Sequence, residues 1–184
     1  MSGDIIIREL FGMDEIATIF PLNSQVGHLS EAVFRDRMSA MIAQGNYRCI
    51  AAYMGERMVG ISGFWIGTQL WCGKYMEVDN FSVDEELRSR GIGAAMMAWM
   101  EAEAERTECA VIRLAMILGR ERTHQFYQRN GYFDDGLLMV KALSRGAAEF
   151  SGICARPGHR RIAGVWQPEA SSRVEDMALE PAAM

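Results

Sequence analysis

The alternation of apolar and polar positions along the chain predicts a mixture of strands and helices. Short apolar runs bounded by turn residues predict strands, and apolar residues three or four positions apart predict helices. Predicted strands cover residues 5–8, 49–54, 58–66, 75–83, 110–117 and 136–143, and predicted helices cover residues 14–20, 30–43, 91–105 and 121–129. The order, β-α-α-β-β-β-α-β-α-β, mixes hairpins with one crossover. We therefore expect an α/β (α+β) domain on a mixed sheet rather than a doubly wound parallel one.

Composition and charge narrow the class of protein. The chain has 184 residues and a formal net charge of −5, with 49% hydrophobic and 23% charged residues, which is globular composition. No apolar run approaches the ~20 residues of a membrane span, and the first residues lack the layout of a secretory signal. We therefore expect a cytoplasmic protein with no membrane partner. The acidic balance also speaks against nucleic-acid binding, which favours an excess of basic residues.

The cysteines and histidines give no sign of a metal site or a disulfide framework. Cys49, Cys72, Cys109 and Cys154 lie far apart, and none belongs to a Cys-x-x-Cys pair. A structural zinc site or a set of disulfides needs closer, patterned spacing. We expect reduced thiols and no metal.

The composition changes after about Leu143. The remaining residues hold three of the four prolines and show no sustained hydrophobic period beyond Ile162–Trp166. We therefore expect a main domain at residues 1–143 and a C-terminal tail at residues 144–184 that is flexible or loosely docked. A strand or helix used in an oligomer contact is the alternative.

One loop carries a candidate anion site. Residues 84–95 join a predicted strand to an amphipathic helix, and Gly91 and Gly93 fall where the helix begins. Helix N-termini present unpaired N–H groups and partial positive charge, and glycines let a ligand approach the backbone. Arg88 and Arg90 add charge suited to phosphates. The loop predicts a phosphate or pyrophosphate site, but it lacks the Gly-Lys-Ser/Thr of a Walker loop and the third glycine of a Rossmann fingerprint.

Two motifs then point to a known family. Arg88-x-x-Gly91-x-Gly93 resembles the Arg/Gln-x-x-Gly-x-Gly/Ala signature of the GNAT superfamily of N-acetyltransferases. Further on, Phe126-Tyr127-x-x-x-Gly131 resembles that family's Phe-Tyr-x-x-x-Gly element, and the element order matches from about residue 5 to residue 143. The resemblance implies a GNAT fold. This is a mixed, mostly antiparallel sheet of six to seven strands with about four flanking helices, splayed between strands 4 and 5.

The resemblance also implies a co-substrate, acetyl-CoA, held where those two strands part. It assigns the pyrophosphate to the loop amides and the pantetheine arm to the backbone of the fourth strand, where one N–H would polarise the thioester carbonyl. Arg120 and Thr123 stand where many members carry asparagine and alanine, and we assign them to the cofactor site too. The assigned cofactor-binding residues are Phe81, Ser82, Val83, Arg88, Ser89, Arg90, Gly91, Ile92, Gly93, Ala94, Arg120 and Thr123.

Three residues are candidates for proton transfer. Tyr127 matches the family's general acid, which protonates the departing thiolate, although an aromatic at this spacing also suits helix packing. An alkyl amine is mostly protonated at pH 7, so a base has to take its proton. Glu77 and Asp79 lie two apart on a predicted strand and share a face unless a bulge intervenes. The open alternatives are that one of them pairs with Lys74 or a nearby arginine, and that water takes the proton.

The resemblance places acceptor selection in two loops that hold His28, Trp71 and Tyr75. Trp71 and Tyr75 would form an aromatic wall beside an amine, and ordinary packing is the alternative for both. Cys72 has no neighbouring histidine or helix N-terminus to activate it, so we expect direct transfer in a ternary complex and not a ping-pong route.

We therefore expect an N-acetyltransferase that moves acetyl from acetyl-CoA to a primary amine of a small molecule or peptide, with a homodimer as an open oligomeric state. Two alternatives remain. A toxin-like acetyltransferase acting on aminoacyl-tRNA would use the basic cluster Arg156, Arg160 and Arg161. The other is a non-catalytic CoA-binding sensor. The sequence fixes neither the acceptor amine nor the base.

Overall fold

Five strands form one sheet in the computed structural model, which describes residues 4–27, 29–117 and 119–140 and the backbone of two short strands at residues 159–162 and 165–168. The sheet order is β1-β2-β3-β4-β5. Neighbours are antiparallel except β4 and β5, which run parallel. The strands are β1 (Ile5–Leu10), β2 (Tyr47–Met54), β3 (Arg57–Gln69), β4 (Gly73–Val83) and β5 (Val111–Leu114).

The described residues form five helices beside the sheet: α1 (Gly12–Ala17), α2 (Phe20–Asn23), α3 (Glu31–Ala43), α4 (Ile92–Arg106) and α5 (Glu121–Arg129). A single 3-10 turn at Glu85–Leu87 precedes α4. Helix α3 begins as its sequence predicts, because the Ser30 hydroxyl accepts a hydrogen bond from the backbone N–H of Val33 at 3.4 Å. None of the helices in the described residues is long and apolar enough to cross a bilayer.

The sheet has an apolar core on each face. On one face Phe34 and Met38 of α3 pack with Ile16, Ile19 and other residues of the first helices against β2 and β3. The opposite face, formed by residues such as Phe64, Met76 and Val78, packs against α4 and α5. The predicted fold class is therefore confirmed: helices cover both faces of a mixed, mostly antiparallel sheet.

Contact between residues divides the chain into two compact units. One comprises Met1–Met116 and Arg122–Leu138, and the other comprises Ile117–Glu121 and Met139–Met184. The second unit contains β6 (His159–Ile162) and β7 (Val165–Pro168), which pair with each other as an antiparallel hairpin. The rest of the predicted tail, residues 144–184, lies outside the described residues, and the boundary at Leu143 stays a prediction.

The last predicted strand, residues 136–143, is wrong where the structure describes it. Residues 136–140 form no strand, and residues 141–143 lie outside the described part. The side chains of Leu137, Leu138, Met139 and Val140 are all exposed. An apolar run predicts a strand only if a neighbouring strand can pair with it and bury it, and in the described residues this run has no such neighbour. The main sheet accordingly has five strands there, fewer than the six to seven expected.

Candidate active site

A bulge in β4 sets the geometry of the site. Asp79 lies opposite Gly63 and Ser82 lies opposite Ile61, so the two residues between them on β4 face only Ser62 on β3. Asn80, in this bulge, has a φ of 52°, and the buried Ser62 hydroxyl lies 3.2 Å from the carbonyl oxygen of Asp79. An extra residue reverses the alternation of side chains. Side chains at odd-numbered positions of β4 therefore lie on one face of the sheet before the bulge and on the other face after it.

Past the bulge, β4 has one edge that is unpaired in the described residues. Its pairing with β5 ends at Val78 and Leu114, so residues 79–83 extend with no described strand on that side. The backbone N–H of Asp84 donates to the carbonyl of Val59 on β3 at 3.0 Å. Successive N–H groups alternate in direction along a strand, so the N–H of Val83 points to the open edge. This is the divergence of strands 4 and 5 that the fold was expected to show.

The open edge leads into an uncapped helix N-terminus. Gly91, with a φ of 83°, precedes α4, and no side chain caps the helix. The amides of Ile92, Gly93 and Ala94 fall in its first turn, where a helix offers no internal acceptor. The side chains of Arg88, Ser89 and Arg90 are exposed, and Ser89 also has a positive φ of 65°. Unpaired backbone donors at the start of α4 thus follow directly on two exposed arginines in the chain, and Nε of Arg88 donates to the carbonyl of Val83 at 3.4 Å. Such a loop suits an anion.

Glycine is favoured at positions 91 and 93 for different structural reasons. A Cβ on Gly91 would meet nothing within 4 Å, and its positive φ is what favours glycine there. A Cβ on Gly93 would lie 3.2 Å from Cζ of Phe126 and 3.7 Å from Cε1 of Phe81. Gly93 therefore lets α4 pack closely under two aromatic rings. This contact joins the glycine motif to the Phe126-Tyr127 motif.

Tyr127 lies in an aromatic cluster beside the open edge. Its ring centroid is 6.3 Å from that of Phe81, 5.2 Å from that of Phe126 and 5.6 Å from that of Tyr132. Burial raises the pKa of Tyr127 to about 12, so its hydroxyl stays protonated at neutral pH. Thr123, one turn earlier on α5, is half-buried, and Arg120 is exposed and belongs to the second unit. The assigned roles of these residues stay predictions.

Glu77 and Asp79 share the face of the sheet opposite α4, as their spacing predicted. Glu77 Oε2 accepts from Arg113 on β5 at 2.6 and 3.1 Å, so this carboxylate has a cationic partner. Asp79 Oδ2 accepts from Nε1 of Trp65 at 3.3 Å, and no cationic side chain in the described residues contacts it. Burial, and then the charge of Glu77, raises the pKa of Asp79 above the ordinary aspartate value. The two carboxylates therefore have different partners, an arginine for Glu77 and a tryptophan N–H for Asp79.

The residues predicted to select the acceptor, Trp71, Tyr75 and His28, have different surroundings. Trp71 is 64% exposed in the β3–β4 turn, and its Nε1 donates to Gln69 at 2.6 Å. The ring of Tyr75 is covered by the guanidinium of Arg113, 3.9 Å from its centroid. His28 lies outside the described residues. No group of three or more His, Cys, Asp or Glu within those residues is arranged to hold a metal ion.

Arg113 is a residue that the sequence reasoning missed. It pairs with Glu77 in the register of β4 and β5 and also donates to Gln69 at 2.7 Å. A charged residue in the middle of the apolar run Val-Ile-Arg-Leu could have indicated a buried partner. Finding that partner requires the register of two strands that are far apart in the sequence.

Comparisons with known proteins agree on one family. Residues 13–132 match the sequence model of the Acetyltransferase (GNAT) family. An aminoalkylphosphonate N-acetyltransferase from Salmonella typhimurium is 28% identical over 119 residues, which are 62% of this chain and 75% of that protein.

Solved structures show the same fold. A GNAT family acetyltransferase from Staphylococcus aureus superposes with a TM-score of 0.62 at 22% identity, covering 76% of this chain and 98% of that one. Glucosamine-6-phosphate N-acetyltransferase from Arabidopsis thaliana gives a TM-score of 0.61 at 17% identity, covering 77% and 99%. An aminoglycoside antibiotic 6'-N-acetyltransferase from Acinetobacter haemolyticus gives 0.66 at 13% identity, covering 76% and 98%.

Proposed function

The chain belongs to the acetyltransferase (GNAT) family, and from that premise we propose that it transfers acetyl from acetyl-CoA to the primary amine of a small molecule by direct attack in a ternary complex. The observation that carries the proposal is the open edge of β4 leading into the uncapped N-terminus of α4. The edge suits an extended, amide-containing arm, and the helix terminus suits a pyrophosphate. Acetyl-CoA carries both groups.

In this proposal the loop from Arg88 to Ala94 holds the pyrophosphate. The first-turn amides of α4 donate to it, and the exposed guanidinium groups of Arg88 and Arg90 add charge. The N–H of Val83, at the open edge, is the candidate donor to the thioester carbonyl, where negative charge develops during attack. Phe81 and the rings around it close the apolar side of the cleft.

Asp79 is the better candidate base of the two carboxylates. The Glu77 carboxylate is already paired with the Arg113 guanidinium, whereas Asp79 has no cationic partner in the described residues and burial raises its pKa. A base that stays ionised at neutral pH and has a raised pKa accepts a proton more readily. Asp79 therefore takes the proton of the acceptor ammonium, directly or through water.

Tyr127 acts on the departing sulfur. Its pKa of about 12 lies well above the ~8.5 of an alkyl thiol. Complete proton transfer from Tyr127 to the thiolate is therefore uphill until the bound complex lowers that pKa. We assign Tyr127 as the hydrogen-bond donor that stabilises the thiolate as the carbon–sulfur bond breaks, and as its proton donor in the complex.

The Salmonella relative's name specifies an aminoalkylphosphonate acceptor, which supports a small-molecule amine over a peptide. The direct test is titration calorimetry of the full chain with acetyl-CoA, followed by thiol release with 2-aminoethylphosphonate, 1,4-diaminobutane and glucosamine 6-phosphate. We expect micromolar binding, and turnover of at least one amine that falls about 10²-fold in Tyr127→Phe. Absence of acetyl-CoA binding by the wild-type chain would overturn the proposal.

A further inference from the structure

The hydroxyl of Tyr47 lies next to the proposed base. Asp79 and Gly63 are directly opposite in the register of β4 and β3, so a side chain at 63 would lie beside the carboxylate. Tyr47 takes up that space: a Cβ built on Gly63 would lie 1.9 Å from the Tyr47 hydroxyl oxygen. Glycine at 63 is therefore what lets the Tyr47 hydroxyl reach the side of Asp79.

This hydroxyl is buried and has no hydrogen-bond partner. Tyr47 is only 7% exposed, and its oxygen is one of three buried side-chain oxygens in the described residues without a partner. A buried hydroxyl left without a hydrogen bond costs free energy, so such a group in a native fold calls for an explanation. Burial raises the pKa of Tyr47, against a smaller lowering by the neighbouring Asn80 side chain, and so keeps the hydroxyl neutral.

Trp65 contacts both Tyr47 and Asp79. It lies opposite Tyr47 in the register of β2 and β3, the two ring centroids are 4.8 Å apart, and its Nε1 donates to Asp79. The cluster thus has a carboxylate with no cationic partner in the described residues, two aromatic rings, and a hydroxyl oxygen that lies beside the Asn80 side chain without a hydrogen bond of ordinary geometry. Asp79 is half-buried and Asn80 beside it is exposed, so the cluster borders solvent there.

We propose that Tyr47, Trp65 and Asp79 form the recess that binds the acceptor as a primary ammonium, with Tyr47 as a positioning residue. This inference rests on the proposed function and names the recognition element of its acceptor side. The carboxylate of Asp79 accepts one N–H, the Tyr47 oxygen accepts a second, and the rings favour the positive charge. Two N–H acceptors in fixed positions favour primary and secondary ammonium ions, because a tertiary or quaternary nitrogen cannot donate to both.

The recess is tested by binding alone, with n-butylammonium as the probe and 1-butanol and tetramethylammonium as its neutral and quaternary counterparts, in ligand-observed NMR titrations. Tyr47→Phe keeps the ring and removes only the hydroxyl, so its melting temperature should equal or exceed that of the wild type. Tyr53→Phe is the matched control. Tyr53 lies on the same strand, and its hydroxyl already accepts from Arg8 at 3.2 Å.

We expect n-butylammonium to bind the wild type in preference to both counterparts, about tenfold more weakly to Tyr47→Phe, and unchanged to Tyr53→Phe. With an amine that turns over, the same loss should appear in KM, and the Kd of acetyl-CoA should not change. Equal binding by Tyr47→Phe and wild type overturns the inference. Selective ammonium binding without any acetyl transfer would instead overturn the proposed function and leave the recess in place.

Discussion

Compared with Gly91→Asn, the variant Gly91→Asp should have a more stable fold and a lower affinity for acetyl-CoA. Both side chains tolerate the left-handed backbone better than other residues do, so the strain at φ 83° is nearly the same in the two variants. A Cβ at this position meets no other group within 4 Å, so neither variant creates a clash. The pair therefore differs by one negative charge at the start of α4.

The magnitudes follow from simple electrostatics. A carboxylate at a helix N-terminus stabilises the helix by ~0.3–1 kcal/mol, so Gly91→Asp should melt about 1–3 °C higher than Gly91→Asn. The same carboxylate about 5 Å from a phosphate charge repels it by ~1 to ~3 kcal/mol as the effective dielectric constant falls from ~80 to ~20. Acetyl-CoA should then bind Gly91→Asp about fivefold to a hundredfold more weakly than Gly91→Asn.

Titration calorimetry at low and at high salt, with a thermal melt of each variant, measures both effects. The difference in acetyl-CoA affinity should shrink as salt screens the repulsion. Equal Kd values for the two variants at low salt would refute the placement of the pyrophosphate at this helix terminus, whatever the wild-type affinity.

The other predictions concern proton transfer and acid stability. Tyr127→Phe should lower kcat about 10²-fold with the acetyl-CoA Kd and the melting temperature unchanged, as single-turnover kinetics and a thermal melt would show. Because burial raises the pKa of Asp79, the acid limb of the kcat/KM profile should lie above ~3.9, and activity should fall as pH drops through the raised pKa. Asp79→Asn should abolish that limb and Glu77→Gln should keep it. The reverse result would assign the base to Glu77. Arg106, and then Arg48, lowers the pKa of Glu103 to about 2, so this ion pair stabilises the fold above ~4.3 and the contribution is lost as pH falls towards 2. Urea unfolding of Glu103→Gln should show a loss of ~2–3 kcal/mol at pH 7 that narrows at pH 3, and a constant loss would contradict the assignment.

A local pattern in the sequence predicted the anion loop, and the resemblance to a short family motif pointed to Tyr127. Gly91 and Gly93 mark a strand-to-helix turn that is complete within a few residues, and the structure places the helix start there. The helix of residues 121–129 was likewise predicted with its observed bounds. Their roles in binding and catalysis stay predictions.

The bulge and the cross-strand contacts were harder to predict. The apolar residues of β4 fall at 76 and 78 and then at 81 and 83, and this three-residue step was a readable sign of the bulge. The contacts between Glu77 and Arg113, and between Tyr47 and Gly63, depend on the register of strands that no local pattern fixes. The absence of a strand at residues 136–140 likewise depends on pairing, because no described strand lies beside this run.

The one extra residue at Asn80 also places the acceptor-side and cofactor-side candidates of β4 on different faces of the sheet. Because alternation reverses there, acceptor-side candidates such as Asp79 precede the bulge on one face, and cofactor-side candidates such as Phe81 follow it on the other. We therefore expect substitutions before residue 80 on the face of Asp79 to alter the choice of amine without touching the surface offered to acetyl-CoA. Deleting one residue at the bulge would turn every later side chain of β4 to the wrong face. We expect homologues to vary freely on the acceptor half of this strand and to keep the length of the bulge fixed.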